Sequence, residues 1–263
     1  MRTSEREVFE AIRFLECTPE IGAVPTAESV LTIEPFRGRH RISEEGKDNE
    51  EVLGVRSVVD HLHSRLFSYS LGERPRAGVV HAALLRRGSR RVLIAGSQGT
   101  GKTTLALHLI RAGYELEGDE HVFLDDDGVV IARPRACQVR ETSLALLPEV
   151  AEVILSAPAY VEDSGCTIFN VDPRLIGGSW RIEKGNVDCV IVLQPNHGGY
   201  SSLRHLPPMM VAQALISEMG MREIDRGVSI GAIAALVSRC KGYDLSLGDP
   251  EGAVKCVDRA LDG

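Results

Sequence analysis

The octapeptide Gly96-Ser97-Gln98-Gly99-Thr100-Gly101-Lys102-Thr103 carries the strongest signal in this chain of 263 residues. It fits G-x-x-x-x-G-K-[ST] in full and lies between an apolar strand pattern at Val92–Ala95 and an apolar helix pattern at Thr103–Ala112, the context that the motif requires. Its glycines permit a backbone that turns main-chain N–H groups inward, so that phosphate oxygens sit at a helix N-terminus. The sequence therefore predicts a loop that binds the phosphates of a nucleotide.

The side chains of the loop indicate how the phosphates and a metal ion are held. We expect Lys102 to reach the β- and γ-phosphates and the Thr103 hydroxyl to bind Mg²⁺. The tetrapeptide Asn-Lys-x-Asp, which would read guanine, does not occur, so ATP is the expected nucleotide. The residues expected to contact the nucleotide are Gly96, Ser97, Gln98, Gly99, Thr100, Gly101, Lys102, Thr103 and Thr104.

The segments on either side of the loop predict a hairpin before it and a short helix after it. Gly78–Leu85 and Val92–Ala95 are apolar runs joined by the tight-turn sequence Arg86-Arg87-Gly88-Ser89, which indicates an antiparallel pair. The helix over Thr103–Ala112 is expected to stop at Gly113, a residue suited to a left-handed C-terminal cap. The loop thus follows an antiparallel hairpin.

Periodicity predicts further elements in the rest of the chain. An amphipathic helix begins at Val55, and the last helix begins at the cap residue Asp249 with Pro250 in its first turn. Asp125-Asp126-Asp127-Gly128 reads as the turn of a second hairpin. The other expected strands are Tyr114–Leu116, Val122–Leu124, Val129–Ile131, Cys166–Val171, Val187–Leu193 and Tyr243–Leu247, and the other expected helices are Met209–Met219 and a helix within Ile230–Cys240.

The first fifty residues give the weakest pattern. Val8, Ile12 and Leu15 fit one helical face, and Val30–Ile33 fits a short strand. The charged residues of 37–51 predict a solvated, charge-rich loop. We therefore expect an N-terminal segment or small module over residues 1–50 and a nucleotide-binding domain over residues 51–263.

Composition excludes several classes of protein. Hydrophobic residues make up 43% and charged residues 25%, the balance of a folded globular protein. A net charge of −7 argues against a general nucleic-acid binder, which needs a concentrated basic face. Six cysteines without C-x-x-C spacing favour buried thiols over disulfides or zinc sites. Because no signal peptide and no apolar run of membrane-spanning length occurs, we expect a cytoplasmic protein without a membrane partner.

The sequence pattern does not show clearly which acidic residue binds the metal together with Thr103. The usual partner of such a loop is an apolar strand that ends in Asp, yet Val187–Leu193 is followed by Gln194-Pro195. Val122-Phe123-Leu124-Asp125 comes close to that pattern, although Asp125 is more economically part of the hairpin turn. An ordinary parallel-sheet ATPase with Asp125 at the metal therefore stays open as an alternative.

The order of three segments resembles the catalytic domain of HPr kinase/phosphorylase and its kinase-like relatives. Val80-His81-Ala82 lies on a strand, the glycine-rich loop follows about fifteen residues later, and Ile110-Arg111-Ala112-Gly113 then leads to Asp119-Glu120. The resemblance covers roughly residues 55–195. It implies an α/β fold similar to phosphoenolpyruvate carboxykinase, with a mixed sheet, the phosphate loop after an antiparallel hairpin, and flanking helices.

The resemblance also implies roles for individual residues. Asp119 would be the general base that takes the proton from an acceptor hydroxyl, Glu120 would help to hold Mg²⁺, and His81 would lie near the phosphates. Two other interpretations stay open, since Asp119-Glu120 also fits a polar strand end and His81 also fits an inward-facing strand residue.

Arginines downstream of the acidic pair are candidates for binding the substrate. Guanidinium groups suit phosphates and carboxylates, so Arg135 and Arg140 are expected to touch donor phosphates or substrate, with ordinary surface arginines as the alternative. Arg174, Trp180 and Arg181 are weaker candidates for a substrate wall.

One departure from the resembled family narrows the expectation. The Glu-x-Arg-Gly-Leu-Gly signature linked to dephosphorylation and to the carrier protein has no counterpart, and Cys166–Pro173 occupies its approximate place. The expectation is a stand-alone kinase that uses ATP and Mg²⁺ to phosphorylate a hydroxyl of a peptide or a small metabolite. The alternatives are a nucleotide-gated regulatory or binding protein and the parallel-sheet ATPase. The resemblance also raises homo-oligomer formation as an expectation.

Overall fold

The computed structural model describes residues 2–12, 30–55, 57–59, 61–62, 65, 78–133, 135–162, 165–181, 183–196, 198–219 and 226–263. Their strands form three sheets of four, three and seven strands. The chain is therefore of the mixed α/β class that the sequence predicts.

A seven-stranded sheet forms the centre, in the order β13-β14-β12-β6-β5-β7-β8. Its strands are β5 (Gly78–Arg87), β6 (Arg90–Ala95), β7 (Glu115–Leu124), β8 (Val130–Ala132), β12 (Cys189–Pro195), β13 (Ser202–His205) and β14 (Lys241–Leu247). β12 is parallel to β6 and β14, whereas β5 pairs antiparallel with both β6 and β7. The hairpin predicted before the loop is thus confirmed, and Gly88 in its turn has φ 61°.

Helices cover both faces of this sheet. The helices with described bounds are α1 (Arg6–Ile12), α2 (Lys102–Arg111), α3 (Ala151–Leu155), α4 (Pro208–Ser217), α5 (Arg226–Val237) and α6 (Pro250–Asp262). On one face α2 and α6 pack in a core with Ile94 and Ile191, and on the other face α4 and α5 pack in a core with Leu93 and Val190. Burial on both faces of the sheet explains why 92–95 of β6 and 189–193 of β12 are continuous apolar runs.

A three-stranded antiparallel sheet lies beside α2. It has the order β10-β11-β9, with β9 (Cys137–Arg140), β10 (Ala159–Val161) and β11 (Thr167–Val171). Val139 and Phe169 of this sheet join the same core as the apolar side of α2. The strand predicted at Cys166–Val171 is β11, whereas the pattern did not predict β9 or β10.

The N-terminal part forms a sheet of its own. β1 (Arg2–Thr3), β2 (Leu31–Phe36), β3 (Arg39–Glu44) and β4 (Glu50–Val52) pair in chain order. The prediction of a charge-rich loop at 37–51 is wrong for most of its length, because Arg39–Glu44 pairs with β2, Glu50–Val52 pairs with β3, and Ile42 is buried. Leu15 and the breaker Gly72–Pro75 lie outside the described residues.

Residues that follow the N-terminal sheet in the chain also pack in its core. Val58 and Leu62 are buried against Leu31, Ile33 and Ile42. The division of the chain after residue 50 stays a prediction, and this packing favours a division further along the chain.

Several local predictions are confirmed. Gly113 ends α2 with φ 93°, the Asp249 side chain accepts from Gly252 N at 2.6 Å to cap α6, and β7 and β8 form the second hairpin. The prediction of a separate short strand at Tyr114–Leu116 is wrong, since β7 runs without a break to Leu124.

The cysteines at 137, 166, 189, 240 and 256 are unbridged, and Cys17 lies outside the described residues. Among the described helices, none is long and apolar enough to cross a membrane.

Candidate functional site

The glycine-rich loop connects β6 to α2 and is shaped by its glycines. Gly101, directly before the helix, has φ 97°, and a Cβ atom there would lie 2.8 Å from Cδ2 of Leu247. Gly99 has φ 84°, and a Cβ atom there would meet nothing within 4 Å. Within the loop, the Thr100 hydroxyl donates to the Ser97 carbonyl at 2.8 Å. Left-handed backbone at two positions restricts them to glycine, and the loop approaches β14 closely at one of them.

The first turn of α2 has no side-chain cap. Gly101 occupies the N-cap position, where it cannot accept a hydrogen bond through a side chain. Main-chain N–H groups of the first turn therefore need partners from outside the helix, and the positive end of the helix dipole lies at the same point. An anion at this position would satisfy both.

Lys102 is buried and directed back at its own loop. Its side chain is 6% exposed, and Nζ donates to the carbonyl oxygens of Gly96, at 2.5 Å, and Ser97, at 3.1 Å. Burial lowers the pKa of Lys102, and the carboxylates of Glu218 and Asp119 act in the opposite direction. Among the described residues, the hydrogen-bond partners of the Lys102 ammonium are therefore neutral carbonyl oxygens of its own loop.

Thr103 and Asp119 form a hydrogen-bonded pair between α2 and β7. The Thr103 hydroxyl donates to Oδ2 of Asp119 at 2.7 Å. Asp119 lies opposite Ala83 of β5, on the sheet face that α2 covers, and is 6% exposed. Burial raises the pKa of Asp119, while the bond from Thr103 and the nearby charges of Lys102 and Arg135 lower it.

Glu120 departs from strand geometry. Alternation along β7 should direct it to the sheet face opposite that of Asp119, yet both residues line one cavity. Glu120 has φ 111°, a conformation that side-chain-bearing residues rarely adopt, and its carboxylate pairs with Arg135. Such backbone strain is typical of sites where a side chain is held in a required direction.

Two histidines lie opposite each other on neighbouring strands. His81 of β5 pairs in register with His121 of β7. Burial lowers the pKa of His81, and Lys102 lowers it further while Glu218 raises it. Burial, with the charge of Arg133, lowers the pKa of His121 to about 4. The pKa of each ring is therefore lowered, and at His81 the Glu218 carboxylate acts against that shift.

These elements surround a cavity of about 670 Å³. Most of the residues predicted from the sequence line it: His81, Gln98, Gly99, Gly101, Lys102, Thr103, Thr104, Asp119, Glu120, Arg135 and Arg140. Gly96, Ser97 and Thr100 of the loop are not among the lining residues, and their contacts are with Lys102, Glu218 and the loop itself. Residues of the glycine-rich loop and the acidic pair Asp119-Glu120 thus line the same cavity.

The far wall of the cavity was missed by the sequence patterns. It comes from β9 to β11 and from the 3₁₀ turn Glu141–Leu146, and its lining residues there include Gln138, Thr142, Ser143, Tyr160 and Glu162. Arg140 pairs with Glu162 across the two outer strands at 3.5 Å. Isolated polar residues on short strands give no local signal, so only the three-dimensional arrangement identifies this wall.

The weaker substrate candidates lie away from the cavity. Trp180 Nε1 donates to Oδ1 of Asp172, and Arg174 makes an ion pair with the same carboxylate. Arg181 pairs with Glu183. The described lining of the cavity includes none of the three, so the structure does not bring them to this site, and their role as a substrate wall stays a prediction.

The parallel-sheet ATPase interpretation is also wrong. β6, the strand before the loop, has β5 as an antiparallel partner. Asp125 belongs to the turn between β7 and β8, where its carboxylate accepts from Val129 N at 2.8 Å and pairs with Lys184 at 2.8 Å. Asp125 therefore stabilises a hairpin turn and does not face the loop.

The donor set fits a magnesium nucleotide better than a protein-bound metal. No group of three or more His, Cys, Asp or Glu side chains is suited to a metal ion within the described part of the chain. Mg²⁺ typically takes one or two carboxylates, a hydroxyl and phosphate oxygens, and keeps some water. Glu120 and Thr103 line the cavity and could supply the first two kinds of ligand, and a triphosphate at the start of α2 the third.

Comparisons with known proteins include a distant likeness to a solved structure. No protein-family model matches the chain, and no curated protein matches it. Among solved structures, an Hpr(Ser) kinase/phosphatase from Coxiella burnetii is similar over 69% of this chain and 94% of its own, with 15% sequence identity and a TM-score of 0.34. A likeness this distant carries no weight for the chemistry of the site.

Proposed function

We propose that this chain is a kinase that transfers the γ-phosphoryl group of ATP, with Mg²⁺, to a hydroxyl group. The observation that carries the proposal is the position of the Thr103–Asp119 pair beside Lys102, at an uncapped helix N-terminus that opens into a polar cavity. Phosphoryl transfer depends mainly on alignment and charge neutralisation, and these groups are of the kind that supply both.

The donor side of the cavity supports triphosphate binding. On binding, phosphate oxygens would replace the carbonyl oxygens of Gly96 and Ser97 as partners of the Lys102 ammonium. First-turn N–H groups of α2 would donate to the same phosphates. Mg²⁺ bound next to Thr103 and Glu120 would neutralise charge on the β- and γ-phosphate oxygens.

Asp119 is the proposed general base. Its carboxylate accepts from the Thr103 hydroxyl and lines the cavity, into which an acceptor hydroxyl would approach the γ-phosphate. Burial raises the pKa of Asp119, which makes it a stronger proton acceptor than an exposed carboxylate. Proton transfer from the acceptor hydroxyl to Asp119 would accompany formation of the new O–P bond and departure of ADP.

The wall formed by β9 to β11 is the proposed acceptor side. Its lining combines hydroxyl, amide and charged groups, with Arg140 and Glu162 of opposite sign. Such a lining suits a polar acceptor, either a peptide bearing a serine-type hydroxyl or a hydroxylated metabolite. The order of the three sequence segments around His81, the glycine-rich loop and Asp119, which resembles kinases of the HPr kinase type, favours the same reaction class.

The proposal is tested with γ-labelled ATP and a fractionated lysate. We expect wild-type protein with Mg²⁺ to label one acceptor, identifiable by mass spectrometry, and Lys102→Ala to lose the label by roughly 10²–10⁴-fold. Lys255→Ala is a matched control, because Lys255 is an exposed lysine of α6 paired with Glu251. Labelling that survives Lys102→Ala, or release of inorganic phosphate without any labelled acceptor, would contradict the proposal.

A further inference from the structure

Glu218 occupies a place in the sheet that β6 leaves open. β6 ends at Ala95, opposite Ala82, where the chain departs into the glycine-rich loop. β5 continues past this point, and there the N–H of His81 donates to the Glu218 carbonyl at 2.9 Å while Val80 bridges to Met219. The main chain at the end of α4 is thus fixed to β5 directly beneath the loop.

The side chain of Glu218 contacts two parts of the site. Oε1 accepts from the Ser97 hydroxyl at 3.0 Å, and Oε2 lies 3.7 Å from Nδ1 of His81, within ion-pair range but longer than a hydrogen bond. The side chain of Glu218 is 12% exposed. His81 lines the cavity and Glu218 is not among the lining residues, so the carboxylate lies behind the ring.

The charges around His81 show what Glu218 adds. Lys102 of α2 and Arg135 before β9 are cations near the ring, and His121 faces it from β7. Glu218 is the carboxylate that opposes these charges at His81 and also acts on Lys102. A carboxylate behind an imidazole favours the protonated ring, whose other nitrogen can then donate to an anion in front of it.

We propose that Glu218 is a positioning residue of the nucleotide site, which holds Ser97 of the loop and keeps His81 able to carry a proton toward the triphosphate. The inference rests on the proposed function for its account of turnover. Glu218 is itself an anion near a polyanion, so its charge opposes nucleotide binding while it favours the donor role of His81. These two effects have opposite signs, which makes them separable.

The substitution Glu218→Gln separates the effect of Glu218 on nucleotide binding from its effect on His81, because glutamine removes the charge and keeps an oxygen that can accept from Ser97. We expect the Kd for a fluorescent ATP analogue to fall by about fivefold as one negative charge is removed, and kcat to fall by about tenfold as His81 loses its support. A merely structural role would weaken binding and turnover together. Glu45→Gln, an exposed change of equal charge in the turn after β3, is the matched control.

His81→Asn completes a double-mutant cycle. If Glu218 acts through His81, then Glu218→Gln should lower kcat no further in the His81→Asn background. Unchanged Kd and kcat in Glu218→Gln, weakening of both, or additive losses in the double variant would each overturn the inference. The Kd measurement needs no acceptor. If the protein binds ATP and phosphorylates nothing, the proposed function is contradicted, while the Kd of Glu218→Gln still tests the role of Glu218 in binding.

Discussion

The hydroxyl of Thr103 donates to Oδ2 of Asp119 at 2.7 Å, and this bond joins the start of α2 to a strand that lies two places away from β6 in the sheet. The two residues are sixteen positions apart in the chain. The contact ties the loop to a buried carboxylate. Changes at Thr103 and at Asp119 should therefore affect the metal side and the acceptor side of the chemistry, respectively.

Thr103 tests the metal side of this bond. Thr103→Val keeps the shape of the side chain and removes the hydroxyl, so we expect the Mg²⁺ concentration for half-maximal activity to rise by roughly 10–100-fold. Thr103→Ser, which keeps the hydroxyl, should stay close to wild type. Titration of activity with Mg²⁺ at fixed ATP measures the effect, and equal Mg²⁺ curves for the valine and serine variants would exclude Thr103 as a ligand.

Asp119 tests the base. Asp119→Asn removes the proton acceptor and keeps a group that Thr103 can still contact, so we expect kcat to fall by roughly 10²–10⁴-fold. Nucleotide affinity should change little, because Lys102 and the helix N-terminus are intact. Rapid-quench kinetics combined with calorimetric binding measures both quantities. Normal turnover by Asp119→Asn would show that another group accepts the proton.

The same substitution should stabilise the protein at neutral pH. Burial raises the pKa of Asp119 in the folded state, so ionising this residue disfavours folding as pH rises from about 3.9 through the folded pKa. Asp119→Asn removes that cost, and its gain in melting temperature should be present at pH 7 and disappear toward pH 4. A gain that stays constant across this range would mean that the carboxylate is not the cause.

Two glycines of the loop separate backbone strain from steric contact. Gly99→Ala should cost roughly 1–2 kcal/mol through its positive φ alone. Gly101→Ala adds a Cβ atom 2.8 Å from Cδ2 of Leu247 and should cost more, with a larger loss of nucleotide affinity. Unfolding in urea and ATP binding measure the difference. If both variants behaved alike, the close approach of the loop to β14 would be unimportant.

A buried ion pair away from the cavity should control stability without controlling chemistry. Arg91 donates to both oxygens of Glu117 at 2.7 Å, and the two residues are 5% and 0% exposed. Glu117→Gln leaves the guanidinium uncompensated and should lower the free energy of unfolding by roughly 3–5 kcal/mol. Replacing both residues by methionine should cost less than the single change. Thermal or urea unfolding checks this, and a larger loss in the double variant would contradict it.

Local patterns predicted the elements around the loop because each carries its own signal. Gly88 marks the hairpin turn, Gly113 ends α2, and Asp249 with Pro250 starts α6. The apolar runs on β6 and β12 identify buried strands before any tertiary contact is known. These features are fixed by residues within a few positions of each other.

The remaining parts depend on contacts between distant residues. Glu218 meets Ser97 across 121 positions, and Tyr160 and Glu162 reach the cavity only because β10 pairs with β11. The sequence of β3 fits a loop because its polar and charged residues surround a single buried one, Ile42. No local period marks such positions, so the far wall and the support behind His81 were not predictable from sequence.

A crystal structure with Mg²⁺ and a non-hydrolysable ATP analogue tests the central claim most directly. We expect the triphosphate to lie along residues 96–103 with Lys102 Nζ on its terminal phosphates, and the Asp119 carboxylate to face the γ-phosphate across the site of an acceptor hydroxyl. A triphosphate bound elsewhere, or an Asp119 carboxylate directed away from the γ-phosphate, would contradict the account.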